Sequence, residues 1–78
     1  MDIQEATAKT LVFYREKSGL SQEELAHRAD LHRTFISQIE RGLKVPTLIS
    51  IFKISKALEI TPTQFISTLE ENLNVSIQ

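Results

Sequence analysis

Apolar residues recur along this chain at helical rather than strand spacing. Over residues 4–18, Leu11, Val12, Tyr14 and Arg15 fall near one side of a helix, and Gly19 stops it. "SQEELAHRA" then sets Ser21 three residues ahead of Glu24, the capping-box spacing, before a narrow stripe of Leu25, Ala26 and Ala29. After the tight connection "DLH", residues 33–41 keep Ile36 and Ile39 on one side, and Gly42 closes the segment. Pro46 cannot continue a helix, so residues 43–46 are a loop. Thr47 is placed to cap a fourth helix with Leu48, Ile51, Ile54, Ala57 and Leu58 inward. Thr61, with Pro62 at the first helical position, opens a fifth that carries Phe65, Ile66, Leu69 and Leu73. Only "NVSIQ", residues 74–78, hints at strand alternation. The pattern predicts one all-α domain of five helices, with no repeat, low-complexity tract or linker.

Composition narrows the class. The chain has 78 residues, 41% of them hydrophobic and 24% charged, as in a small folded domain. It has no cysteine, so neither a disulfide framework nor a thiolate metal site is available. No apolar run is long enough to cross a membrane, and "MDIQEATAK" lacks the basic flank and apolar core of a signal peptide. A cytoplasmic protein is therefore expected, with no membrane association.

The net charge of −1 argues against a nucleic-acid partner until its distribution is considered. All nine Lys and Arg residues lie between Lys9 and Lys56, alongside five acids, a local surplus of four positive charges. The other five acids lie outside that stretch. Such asymmetry hints at a partner that the total conceals.

The polar side of residues 33–41 sharpens the hint. A helix that needs only to be soluble usually shows Glu and Lys there. This one shows Arg33, Thr34, Ser37, Gln38 and Arg41. Two short helices joined by about three residues have the spacing of a helix-turn-helix, here about 21–41, whose second helix enters the DNA major groove. Arg can pair with guanine O6 and N7, Gln with adenine N6 and N7, and Thr can meet a thymine methyl. Gln22, at the start of the preceding helix, can offer its amide to a phosphate beside that helix's free N–H groups.

Residues 8–66, and above all SQEELA, its spacing to ISQIERG, and P-T-L-x-x-I-x-K-I-x-K-A-L, resemble the helix-turn-helix domain of the XRE (Cro/C1) type, shared by phage repressors and many small bacterial regulators. The short form with "HRTFIS" is also similar to the controller proteins of restriction–modification systems. The resemblance implies a lambda-repressor-like five-helix bundle. It implies that Arg33, Thr34 and Gln38 face base edges, with Ser37 close by. Gln22, Arg41 and Lys44 would meet phosphates, and Arg15 and Glu40 would form an inward ion pair. Family members often have glycine where Asp30 stands; Asp tolerates the left-handed turn better than most residues.

Other readings were open on the residues alone. Arg33 and Arg41 could be solvated charges. Phe35 could pack under the turn or reach a sugar or thymine methyl. His27 and His32, five apart, share no helical face and have no acid to complete a ligand set, so no metal is expected. Glu23 and Glu24 suit the helix dipole, although Glu23 also resembles in position the acidic patch with which some phage repressors touch RNA polymerase. No nucleophile elbow, phosphate loop or carboxylate pair points to an enzyme or a cofactor. Ile49, Phe52, Phe65, Ile66, Leu69 and Leu73, with the tail through residue 78, exceed what the inward stripes need and are expected to form a homodimer contact. The expected function is sequence-specific binding of double-stranded operator DNA by a homodimeric transcription regulator. The competing reading is an antitoxin or protein-interaction module of the same fold.

Overall fold

The computed structural model describes residues 1–73 and contains α1 (Ile3–Ser18), α2 (Gln22–Ala29), α3 (Arg33–Glu40), α4 (Leu48–Ala57) and α5 (Pro62–Asn72). Among the described residues there is no strand. The alternating "NVSIQ" and the tail proposed for dimerisation lie outside them.

Side-chain caps fix where four of the helices start. Asp2, Ser21, Thr47 and Thr61 each accept a hydrogen bond from the backbone N–H three residues on. At α1, α2 and α5 the reciprocal bond from Glu5, Glu24 or Gln64 completes a capping box. At α2 the bonds from Ser21, its backbone N–H first, hold the Glu24 carboxyl below its ordinary range. The third helix is the exception, since His32 makes no side-chain cap.

Helix exits follow one design. At Gly19, Asp30, Gly42 and Glu59 the backbone turns left-handed, with φ of 75°, 56°, 74° and 59°. At each, the paired closing bonds of a Schellman motif run back into the helix: Leu20 N–H to Arg15, Leu31 to Ala26, Leu43 to Gln38 and Ile60 to Ser55, while the preceding residue's N–H bonds the carbonyl one residue further on. Asp30 therefore keeps the turn that glycine would make. Leu20, Leu31 and Ile60, the apolar residues that follow three of these turns, pack on the core. Leu43, after α3, is 62% exposed.

The core gathers Leu11, Leu25, Ile36, Ile39, Ile54 and Phe65, all fully buried. α1 packs on α3 and α5, α2 on α3 and α4, and α4 on α5. Phe35 is packed against this core rather than held out in solvent.

Three expectations need correction. Leu48 does not face inward: at the first position of α4 it is 71% exposed. Phe65 and Leu69 were expected at a contact between copies, but they are 0% and 7% exposed because they line the side of α5 that closes the core. They have no surface left for a partner. Leu73 packs at the core's edge, half-buried.

Candidate nucleic-acid interface

The third helix presents two chemically distinct sides. Ile36 and Ile39 anchor it in the core. Outward stand Arg33 and Thr34, exposed, and Ser37 and Gln38, half-buried, followed by the exposed Arg41 and Lys44. None of these six side chains takes part in the hydrogen bonds and ion pairs that link side chains elsewhere among the described residues. The donors and acceptors of the first four are carried on α3, those of Arg41 and Lys44 just beyond its end, and all remain available. Such a surface suits hydrogen-bonding base edges and phosphates better than an apolar partner.

Behind that surface lies a polar lock. Arg15 on α1 donates through Nε to Glu40 Oε2 and through Nη2 to Glu40 Oε1 at 3.0 Å, while Nη1 reaches the Leu20 carbonyl at 2.9 Å. The two side chains are only 16% and 6% exposed. The bond to Glu40 holds the Arg15 guanidinium above its ordinary pKa, against the opposing effect of burial. This pair fixes the end of α3 against α1.

The amide of Gln22 joins the same carboxylate: Nε2 donates to Glu40 Oε1 at 2.8 Å. The residue expected only at a phosphate is therefore tied inward by one of its two amide hydrogens. No signal in the sequence separates those uses, because an amide does not declare its partner. Gln22 also lines a cavity of about 360 Å³ with Arg15, Ser21, Glu23 and Arg33. That cavity brings the start of α2, whose first N–H groups point outward, next to the first residue of α3.

Other surfaces are chemically plainer. A larger open groove of about 800 Å³ lies between α1 and α5, lined by Val12, Phe13, Tyr14 and Thr68 among others. Tyr14 closes its base by hydrogen bonding Thr68 at 2.6 Å. This groove mixes charges of both signs, Lys9 and Lys17 with Glu16 and Glu71, around its apolar residues. Among the described residues no cluster of His, Asp or Glu could hold a metal, and no helix is long and apolar enough to cross a membrane.

On the α4–α5 side, Leu48, Ile49, Phe52 and Ile66 are 71%, 71%, 56% and 41% exposed. Leu48, Phe52 and Ile66 line one shallow groove with Pro62. Leu43 and Val45, in the loop from α3, are also exposed. Sequence reasoning missed Leu43, Val45 and Leu48 as surface residues, because hydrophobicity alone does not distinguish a core contact from an interface.

The comparisons with known proteins identify the family to which this fold belongs. The helix-turn-helix family model matches residues 13–65. The chain is 59% identical over 46 residues to the control protein C.BamHI of Bacillus amyloliquefaciens, a match spanning 59% of this chain and 57% of that protein. It is 43% identical over 58 residues to the control protein C.SmaI of Serratia marcescens, covering 74% of this chain and 69% of that one. The crystal structure of the wild-type restriction–modification controller protein C.Esp1396I superposes with a TM-score of 0.86 at 30% identity, covering 95% and 97% of the two chains. The chain belongs to the helix-turn-helix family of the XRE (Cro/C1) type, a family of DNA-binding transcription regulators.

Proposed function

We propose that this protein acts in the cytoplasm as a homodimeric regulator on a two-fold operator, in the manner of the restriction–modification controller proteins it resembles. The observation that carries the reading is the unengaged hydrogen-bonding face of α3, held in place by the Arg15–Glu40 lock. Arg33, Thr34, Ser37 and Gln38 read base edges in the major groove. Gln22, Arg41 and Lys44 take the phosphates that set the register.

The exposed apolar residues of α4 and α5 support the dimer. Ile49, Phe52 and Ile66 remain from the expected contact, and Leu48 joins them. A two-fold contact there would place two copies of α3 on half-sites about one DNA turn apart, roughly 34 Å. Glu23, exposed at the start of α2, is free to meet RNA polymerase beside the bound operator.

Selection of bound sites from random DNA tests the reading. Enrichment of an inverted repeat with half-sites spaced by about 10 base pairs is the expected outcome. Enrichment of no sequence, or of a single asymmetric half-site, would contradict it.

A further inference from the structure

The lock behind α3 and the backbone contact at α2 share one atom. Glu40 Oε1 accepts both Arg15 Nη2, at 3.0 Å, and Gln22 Nε2, at 2.8 Å. Gln22 is half-buried at the first position of α2 and lines the same cavity as Arg33. We infer that Glu40 is a positioning residue for the DNA-backbone contact: it fixes the Gln22 amide by one hydrogen so that the other is presented to a phosphate. The inference rests on the proposed DNA-binding role of this face.

The chemistry favours that division of labour. A primary amide has two N–H donors about 120° apart, so binding one to a fixed carboxylate aims the other. Glu40 is itself fixed through both oxygens by Arg15, whose third donor position is held by the Leu20 carbonyl. The chain of contacts therefore runs from α1 through the end of α3 to the start of α2. An unrestrained glutamine would lose rotamer freedom on meeting a phosphate, whereas this one has already lost it in the free protein. The Glu23 carboxylate also lines the cavity. It is exposed, so solvent and salt screen its repulsion of an anion.

The test uses the full chain and its selected operator, with single phosphates replaced in turn by neutral methylphosphonates. Gln22→Ala identifies the phosphate at which the wild type is sensitive through Gln22, and Lys44→Ala identifies the one met by Lys44. Glu40→Gln removes the carboxylate that aims Gln22 but keeps the side chain's size. It is expected to cut sensitivity at the Gln22 phosphate by roughly three- to tenfold, the contribution of one hydrogen bond, and to leave the Lys44 phosphate unchanged. A purely structural role would weaken all positions alike.

Should Glu40→Gln fail to fold, the wild type supplies a second measurement through the Gln22 side-chain amide resonances. One amide proton is expected to be protected from exchange in the free protein, with the second protected only on the operator. An unaltered methylphosphonate profile in folded Glu40→Gln would overturn the inference, as would loss of the Glu40-bonded proton's protection on DNA. In either case wild-type preference for the operator would leave the DNA-binding reading standing. Absence of any operator preference in the wild type would bring down both.

Discussion

Two regions of this small molecule treat polarity in opposite ways. Along α1, from its contact with α5 to its junction with α2 and α3, the buried polar groups have partners. Thr7 and Thr10 donate to the Ile3 and Ala6 carbonyls at 2.6 and 2.7 Å, Asn72 donates to Thr10, and Arg15, Gln22 and Glu40 form a connected set. At α4 the balance reverses. The Ser55 hydroxyl is fully buried with no partner among the described residues, Glu59 stands in a left-handed turn without being glycine, and four large apolar side chains of α4 and α5 face outward. Exact hydrogen-bonded placement is concentrated behind the face of α3, where a misplaced donor would forfeit a base contact. The other region needs only shape and apolar area.

The largest effect is expected from opening the lock. Glu40→Ala would leave the Arg15 guanidinium mostly buried and uncompensated, a change that typically costs about 3–5 kcal/mol. For a domain of this size that lowers the melting temperature by more than about 10 °C. A melting curve within about two degrees of the wild type would show that the two regions do not differ as described.

A smaller effect, and one of another kind, is expected on the apolar side. Phe52→Lys alters a side chain that is 56% exposed, so the stability of the monomer should change by no more than about 0.5 kcal/mol. Self-association should weaken by about tenfold or more, because charge would enter a desolvated contact. Sedimentation across a micromolar concentration series reads both species. A wild type that stays monomeric with and without DNA would remove the premise.

Ser55→Ala should have a small stability effect of the opposite sign to the loss expected from Glu40→Ala. It removes a buried hydroxyl with no partner and places a better helix former inside α4, for a gain of about 1 kcal/mol. Thermal denaturation should show a rise of a few degrees. A fall would mean that the hydroxyl has a role in packing.

Much of the architecture was legible because it is written in short-range chemistry. Ser21 with Glu24, Thr47, Thr61 with Pro62, Gly19 and Gly42 mark helix ends through bonds made within a few residues. Asp2 and Glu5 have the same capping spacing, which starts α1 one residue earlier than its apolar pattern indicates. Glu59 gives no such sign of its left-handed turn. What stayed illegible depends on which surface meets which. Leu48 fits the inward period of α4, yet it sits at the helix's first turn, beyond its neighbours. Phe65 and Leu69 fit an interface as well as a core until α1 and α4 are seen to cover them. The double engagement of Glu40 joins residues 18 and 25 positions away, which no local pattern reports.

The most direct test of the central claim is one titration series: wild type, Arg33→Ala and Lys44→Ala against the selected operator and scrambled DNA, across salt concentrations. The wild type should favour the operator by about a thousandfold or more. Arg33→Ala should lose about 1–3 kcal/mol on the operator and little on scrambled DNA. Lys44→Ala should weaken both alike and reduce the salt slope by about one. Equal losses on both DNAs for Arg33→Ala would make that residue a phosphate anchor, and a wild type without preference at any salt would contradict the account as a whole.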